Sequence, residues 1–90
     1  MPARTSLADY LDAIRYRRYS RSVIHERRRL LAYAIFCGDD EWLCNAPLET
    51  VLSTVGAQFQ VRTRSARQKL ATVVEDYRDW RRQQEGGNGD

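Results

Sequence analysis

Residues 62–82 read Arg-Thr-Arg-Ser-Ala-Arg-Gln-Lys-Leu-Ala-Thr-Val-Val-Glu-Asp-Tyr-Arg-Asp-Trp-Arg-Arg. Ala66, Leu70, Val73, Val74, Tyr77 and Trp80 stand at steps of four, seven, eight, eleven and fourteen from the first of them. Such spacing predicts one long helix with a single buried face. Thr63 or Ser65 can cap its start, because a hydroxyl there accepts from a backbone N–H that the first turn leaves free. The first two turns also carry Arg62, Arg64, Arg67 and Lys69 without an acid among them. Free N–H groups, the helix dipole and cations together favour an anion at that end. The element thus offers a core face and a basic end.

Working backwards from it, Asn45 is expected to cap a third helix with Pro47 in its first turn, Leu48, Val51, Leu52 and Val55 as its stripe and Gly56 as its end. Residues 57–61 then form a connector pinned to the core by Phe59 or Val61. Near the N-terminus, Leu7, Tyr10, Leu11 and Ile14 give the same 0, 3, 4, 7 pattern for a first helix beginning at Ser6, capped by Thr5 or Ser6. Arg15, Arg17 and Arg18 close it. Ser20 is the expected N-cap of a second helix running to about Cys37. Val23, Leu30, Leu31, Ala34 and Cys37 form its apolar stripe, widened by Ile24, Ile35 and Phe36. Gly38 is expected to end it in the left-handed conformation. A short helical turn near residues 40–44 then folds Trp42 and Leu43 back onto the core. The expected architecture is all-α: a compact four-helix bundle with that extra turn, an arm over residues 1–5, a domain over 6–84 and a disordered tail over 85–90.

Ninety residues make one domain at most. The net charge is +3, yet seven arginines lie between Arg15 and Arg29 and four further bases between Arg62 and Lys69, with Asp39, Asp40, Glu41 and Glu49 between the two clusters. Clustered bases of this kind point to a polyanion-binding face. Fourteen of the fifteen bases are Arg, the better residue for bidentate phosphate and guanine contacts, although GC-rich coding gives the same bias. The start of the second helix and that of the last both combine hydroxyls with arginines. If adjacent in space, they would grip phosphates together. The longest apolar run is residues 30–37, too short to span a membrane. No secretory leader is visible, and a cytoplasmic location is expected. Cys37 and Cys44 are expected to be reduced and partly buried, and with His25 they are too few for a zinc site. No metal, cofactor or small-molecule substrate is expected. No Gly-rich phosphate loop occurs, and no base is positioned beside a nucleophile, so no enzymatic activity is expected.

Leu7-Ala8-Asp9-Tyr10-Leu11, Tyr19-Ser20-Arg21-Ser22-Val23-Ile24, Arg27-Arg28-Arg29-Leu30-Leu31 and Thr63-Arg64-Ser65-Ala66-Arg67, with Tyr77 and Trp80 later, resemble one known pattern. It is similar to the SAM-like core-binding domain at the N-terminus of phage-integrase-type tyrosine recombinases, over residues 6–82. The family usually has Thr at the place of Val23 and often Pro near Arg21. The resemblance implies a domain that clamps duplex DNA through the starts of its second and fourth helices. Residues Arg18, Ser20, Arg21, Ser22, Arg28, Arg62, Thr63, Arg64, Arg67 and Lys69 are the candidate DNA contacts. The Arg, His and Tyr set that cleaves DNA in that family cannot be assembled here. The chain is then either a fragment or a stand-alone protein using the clamp in phage or mobile-element recombination or its regulation, with a recombinase or another protein as a further partner. Two alternatives stay open. One is a protein-interaction module whose arginine face binds an acidic partner, with Trp42, Tyr16 or Tyr33 as anchors. The other is a helix-turn-helix transcription regulator built from the third and last helices.

Overall fold

The computed structural model describes residues 6–17 and 19–87. Among them the fold is all-α. Helix α1 spans Ser6–Ile14 and runs into a 3-10 turn at Arg15–Arg17. Helix α2 spans Arg21–Cys37, α3 Asp40–Asn45, α4 Leu48–Phe59 and α5 Arg64–Gly87. The expected arm over residues 1–5 lies outside the described residues, as do Arg18 and residues 88–90.

Capping follows the local chemistry. The Ser20 hydroxyl accepts from the Val23 N–H at 3.3 Å, and Asp39 accepts from the Trp42 N–H at 2.8 Å to start α3. At α5 it is Thr63, not Ser65, whose hydroxyl accepts from the Ala66 N–H, at 3.1 Å. The start of α4 differs from expectation. Asn45 is the last residue of α3, and its amide donates to the Glu41 carbonyl at 2.9 Å. Pro47 takes the capping position with no side-chain bond.

The two expected glycine stops are also corrected. Helix α2 does end at Gly38, but with φ −145°, not in the left-handed region. What requires glycine there is space: a Cβ would overlap the Trp42 ring. Gly56 does not end α4. It is buried within the helix, where a Cβ would meet the Val61 carbonyl oxygen at 3.0 Å. The helix continues one further turn and closes at Gln60, whose φ of 59° is the one left-handed non-glycine among the described residues. At the C-terminus α5 runs on to Gly87, so residues 85–87 are helical rather than part of a tail. Glycines in the last turn weaken a helix but do not stop it as proline does.

The stripes meet in one core of Tyr10, Ile14, Leu30, Leu31, Ala34, Leu43, Val51, Leu52, Val55, Val61, Leu70, Val73, Val74, Tyr77 and Trp80. Tyr10 stands edge-on to both Tyr77 and Trp80, with ring centroids 5.3 and 5.7 Å apart. Phe36, expected to widen the α2 stripe, is 73% exposed. Its ring meets the edge of α4, at Phe59. Cys37 and Cys44 are not joined in a disulfide, and both are half-buried.

Three helical elements are tied together by Asp76 of α5. Its Oδ2 accepts from Tyr10 Oη at 2.6 Å, from Arg17 at 2.7 Å and from Arg27 at 3.0 Å. Arg27 also donates to Tyr10 Oη at 2.7 Å and lies over the Tyr19 ring, 4.6 Å from its centroid. Burial works to raise the Asp76 pKa, but the hydrogen bonds from Tyr10 and Arg17 and the charges of Arg17 and Arg27 outweigh it, and the carboxyl ends below its ordinary value. Burial, helped by the Asp76 carboxylate, pushes the Tyr10 phenol well up. A second tie fastens α3 to α5: Tyr77 donates to Asp40, Arg81 pairs with Asp40, and Arg78 donates to the carbonyls of Leu43 and Ala46. No buried side-chain nitrogen or oxygen among the described residues lacks a partner.

Two outcomes are expected. Asp76→Asn removes a charge-assisted acceptor from three donors and lowers stability by about 2 kcal/mol, or roughly 10 °C in thermal midpoint. Because the folded carboxyl titrates below its unfolded value, its stabilisation is present above that unfolded value and is lost as pH falls through the folded one. Acid melts below about pH 4 should therefore fall more steeply for the parent than for the Asn variant, and equal slopes would contradict the role. Gly38→Ala should cost about 1–3 kcal/mol and shift the tryptophan emission as the Trp42 ring is displaced.

Candidate nucleic-acid interface

The structure sorts the arginines by what they touch. Arg17, Arg27, Arg78 and Arg81 are committed to carboxylates or carbonyls that join helices. Arg15, Arg29 and Arg82 make loose pairs on their own helices or turns, with Asp12, Glu26 and Asp79 at 4.0, 3.8 and 3.3 Å. Arg21, Arg28, Arg62, Arg64 and Arg67 make no ion pair or side-chain hydrogen bond among the described residues. All five belong to the candidate set. A guanidinium without a carboxylate partner is left to water or to an anion for its solvation.

The candidate residues nonetheless fall into separate groups. Glu26 of α2 pairs with Lys69 of α5 at 3.7 Å, while Arg29 and Tyr33 line a groove with Val61, Thr63 and Ser65. Arg27, in turn, reaches Asp76. Going up α2 therefore means going down α5, and the two helices run antiparallel. The start of α2 lies near the level of Asp76, and the start of α5 near Arg29 and Tyr33. About ten residues of α2 separate the two levels, roughly 15 Å at the helical rise. The two arginine-bearing starts point in opposite directions and do not form one tip. Antiparallel packing is the cause: helices so arranged put unlike ends side by side.

Around the α2 start, Ser20 is occupied as a cap and its hydroxyl lies 3.1 Å from that of Ser22. Arg21 is exposed. Arg28 lies one flank over, on a groove against α1 with Leu7, Leu11 and Ile24. The α5 start is the denser group. Arg62 and Arg64 are exposed and Arg67 half-buried. The Thr63 side chain and carbonyl fix the N–H groups of Ala66 and Arg67 at 3.1 and 2.9 Å. The N–H groups of Arg64 and Ser65 have no acceptor among the described residues and face outward at the positive end of a helix of 24 residues. Chemically, this end can neutralise and hydrogen-bond phosphate oxygens.

No family model, curated protein or solved structure matches the chain. Among the described residues no helix is long and apolar enough to cross a membrane, and no group of three or more His, Cys, Asp or Glu stands where it could hold a metal ion.

Sequence reasoning missed two features. Arg29 joins Lys69 in sharing Glu26, although only Lys69 is a candidate contact. Tyr33, Phe36 and Phe59 gather on the surface: Tyr33 and Phe59 stack at 4.2 Å, and Phe36 meets Phe59 edge-on at 5.7 Å. The signal for the second was available. Phe36 follows Tyr33 by three positions and Arg29 by seven, so the three share one flank of α2.

Proposed function

We propose that the chain is a non-enzymatic DNA-binding module that meets duplex DNA with the start of α5 and the connector before it. One observation carries the reading: Arg62, Arg64 and Arg67 surround a Thr-capped helix start and have no intramolecular ion-pair partner among the described residues. Residues 62–69 hold four bases and no acid. In this reading the guanidiniums and the Arg64 and Ser65 N–H groups bind backbone phosphates and set the register. One of Arg64 and Arg67, entering the major groove, adds a bidentate contact to guanine. The start of α2 contributes at most a second, separate phosphate contact through Arg21, because it faces the other way.

The resemblance to recombinase core-binding domains makes recombination or its regulation the process to test first. The helix-turn-helix reading gains from one observation. The connector between α4 and α5 is residues 60–63, four in all, which is the length such turns use. Both readings put the same residues against DNA.

Arg64→Ala/Arg67→Ala should weaken binding to mixed-sequence duplex by about tenfold near 0.1 M salt and make the log–log salt dependence shallower by about two. The thermal midpoint should stay within about 2 °C of the parent, since neither side chain holds a partner. Parent protein that binds no duplex at low salt would contradict the reading, as would a double variant that binds unchanged or unfolds.

A further inference from the structure

Phe36 is the largest apolar side chain that α2 leaves in water, at 73% exposure, and duplex binding through α5 gives it no role. Its ring meets Phe59 edge-on, and Phe59 stacks in turn on Tyr33. Beside this trio runs a groove of about 330 Å³ between α2 and residues 59–69, with Leu30 on its apolar lining and Arg29 and Lys69 along its rim. The two cations share one carboxylate, that of Glu26, at 3.8 and 3.7 Å, so the rim keeps a positive surplus. Large rigid aromatics beside a groove, edged by cations, are the usual make-up of a protein-binding hot spot.

We propose that Tyr33, Phe36, Phe59 and the adjoining groove dock a short acidic peptide segment of a partner protein, with one large apolar side chain of that segment held against the aromatic trio. Charge complementarity selects this occupant. A second copy of the same face would set cation against cation. Duplex DNA presents phosphates but keeps its bases stacked away from Phe36. An acidic segment with an apolar anchor satisfies both the rim and the rings. Tyr33, Phe36 and Phe59 lie outside the DNA-facing stretch, while the groove beside them shares Thr63, Ser65 and Lys69 with it.

The test selects a phage library of random short peptides on the full chain and measures the enriched peptides against variants. Enriched sequences should combine Asp or Glu with a large apolar residue. Phe36→Ser should weaken them by about tenfold or more while leaving both the thermal midpoint and duplex affinity unchanged. Arg29→Gln/Lys69→Gln should weaken them as well and reduce their salt dependence. The proposal is overturned if nothing is enriched, if the enriched peptides lack acids, or if Phe36→Ser binds them unchanged. It is also overturned if a labelled oligothymidylate, rather than a peptide, is what depends on Phe36, which would assign the rings to unpaired bases. Failure of duplex binding alone leaves the peptide result standing, so the two readings fail separately.

Discussion

A single carboxylate oxygen, Oδ2 of Asp76, receives the Tyr10 hydroxyl and the Arg17 and Arg27 guanidiniums. In a chain of ninety residues the core is small, and two arginines against its edge would be costly if left uncompensated. Asp76 removes that cost and, in the same act, fixes α1, the turn after it, α2 and α5 relative to one another. The Asp40 cluster does the same for α3, through Tyr77 and Arg81 just beyond Asp76 on α5. With these ties satisfied, the arginines that remain unpaired are free to be judged as surface groups.

That division reframes the arginine-rich composition. Arginines carrying structure sit where a helix meets a neighbour, and each finds its acceptor on another element. Among the described residues, the arginines with no ion pair or side-chain hydrogen bond are Arg62, Arg64 and Arg67 at the start of α5, and Arg21 and Arg28 on separate flanks of α2. A basic chain can therefore have a modest net charge and still present a concentrated cationic end. The same sorting weakens any symmetrical two-point grip on DNA, because the antiparallel run of α2 against α5 turns their positive ends away from each other.

Much of the fold was legible from periodicity. Every residue of the α5 stripe from Leu70 to Trp80 is buried, and Ser20 and Thr63 cap as their hydroxyls allow. What was not legible is what depends on distant residues. Arg27 has no acid three or four positions away, so nothing local announces its pairing with Asp76, 49 residues on. Gly56 looked like a stop because glycine weakens helices, yet its small size serves the close pass of Val61. Phe36 looked like core because apolar residues adjoin it in sequence, and only the placement of α4 decides which flank is covered. The site residues were legible as chemistry, while their separation into groups followed from helix direction, which spacing does not encode.

In the proposed function, the α5 start is the surface that meets nucleic acid. Amide chemical-shift changes on adding a short mixed-sequence duplex to the labelled chain test this most directly. The account predicts changes concentrated in residues 60–69, with those around Asp76 and Tyr10 unmoved. Changes centred on the α2 start, or none at all at low salt, would contradict it.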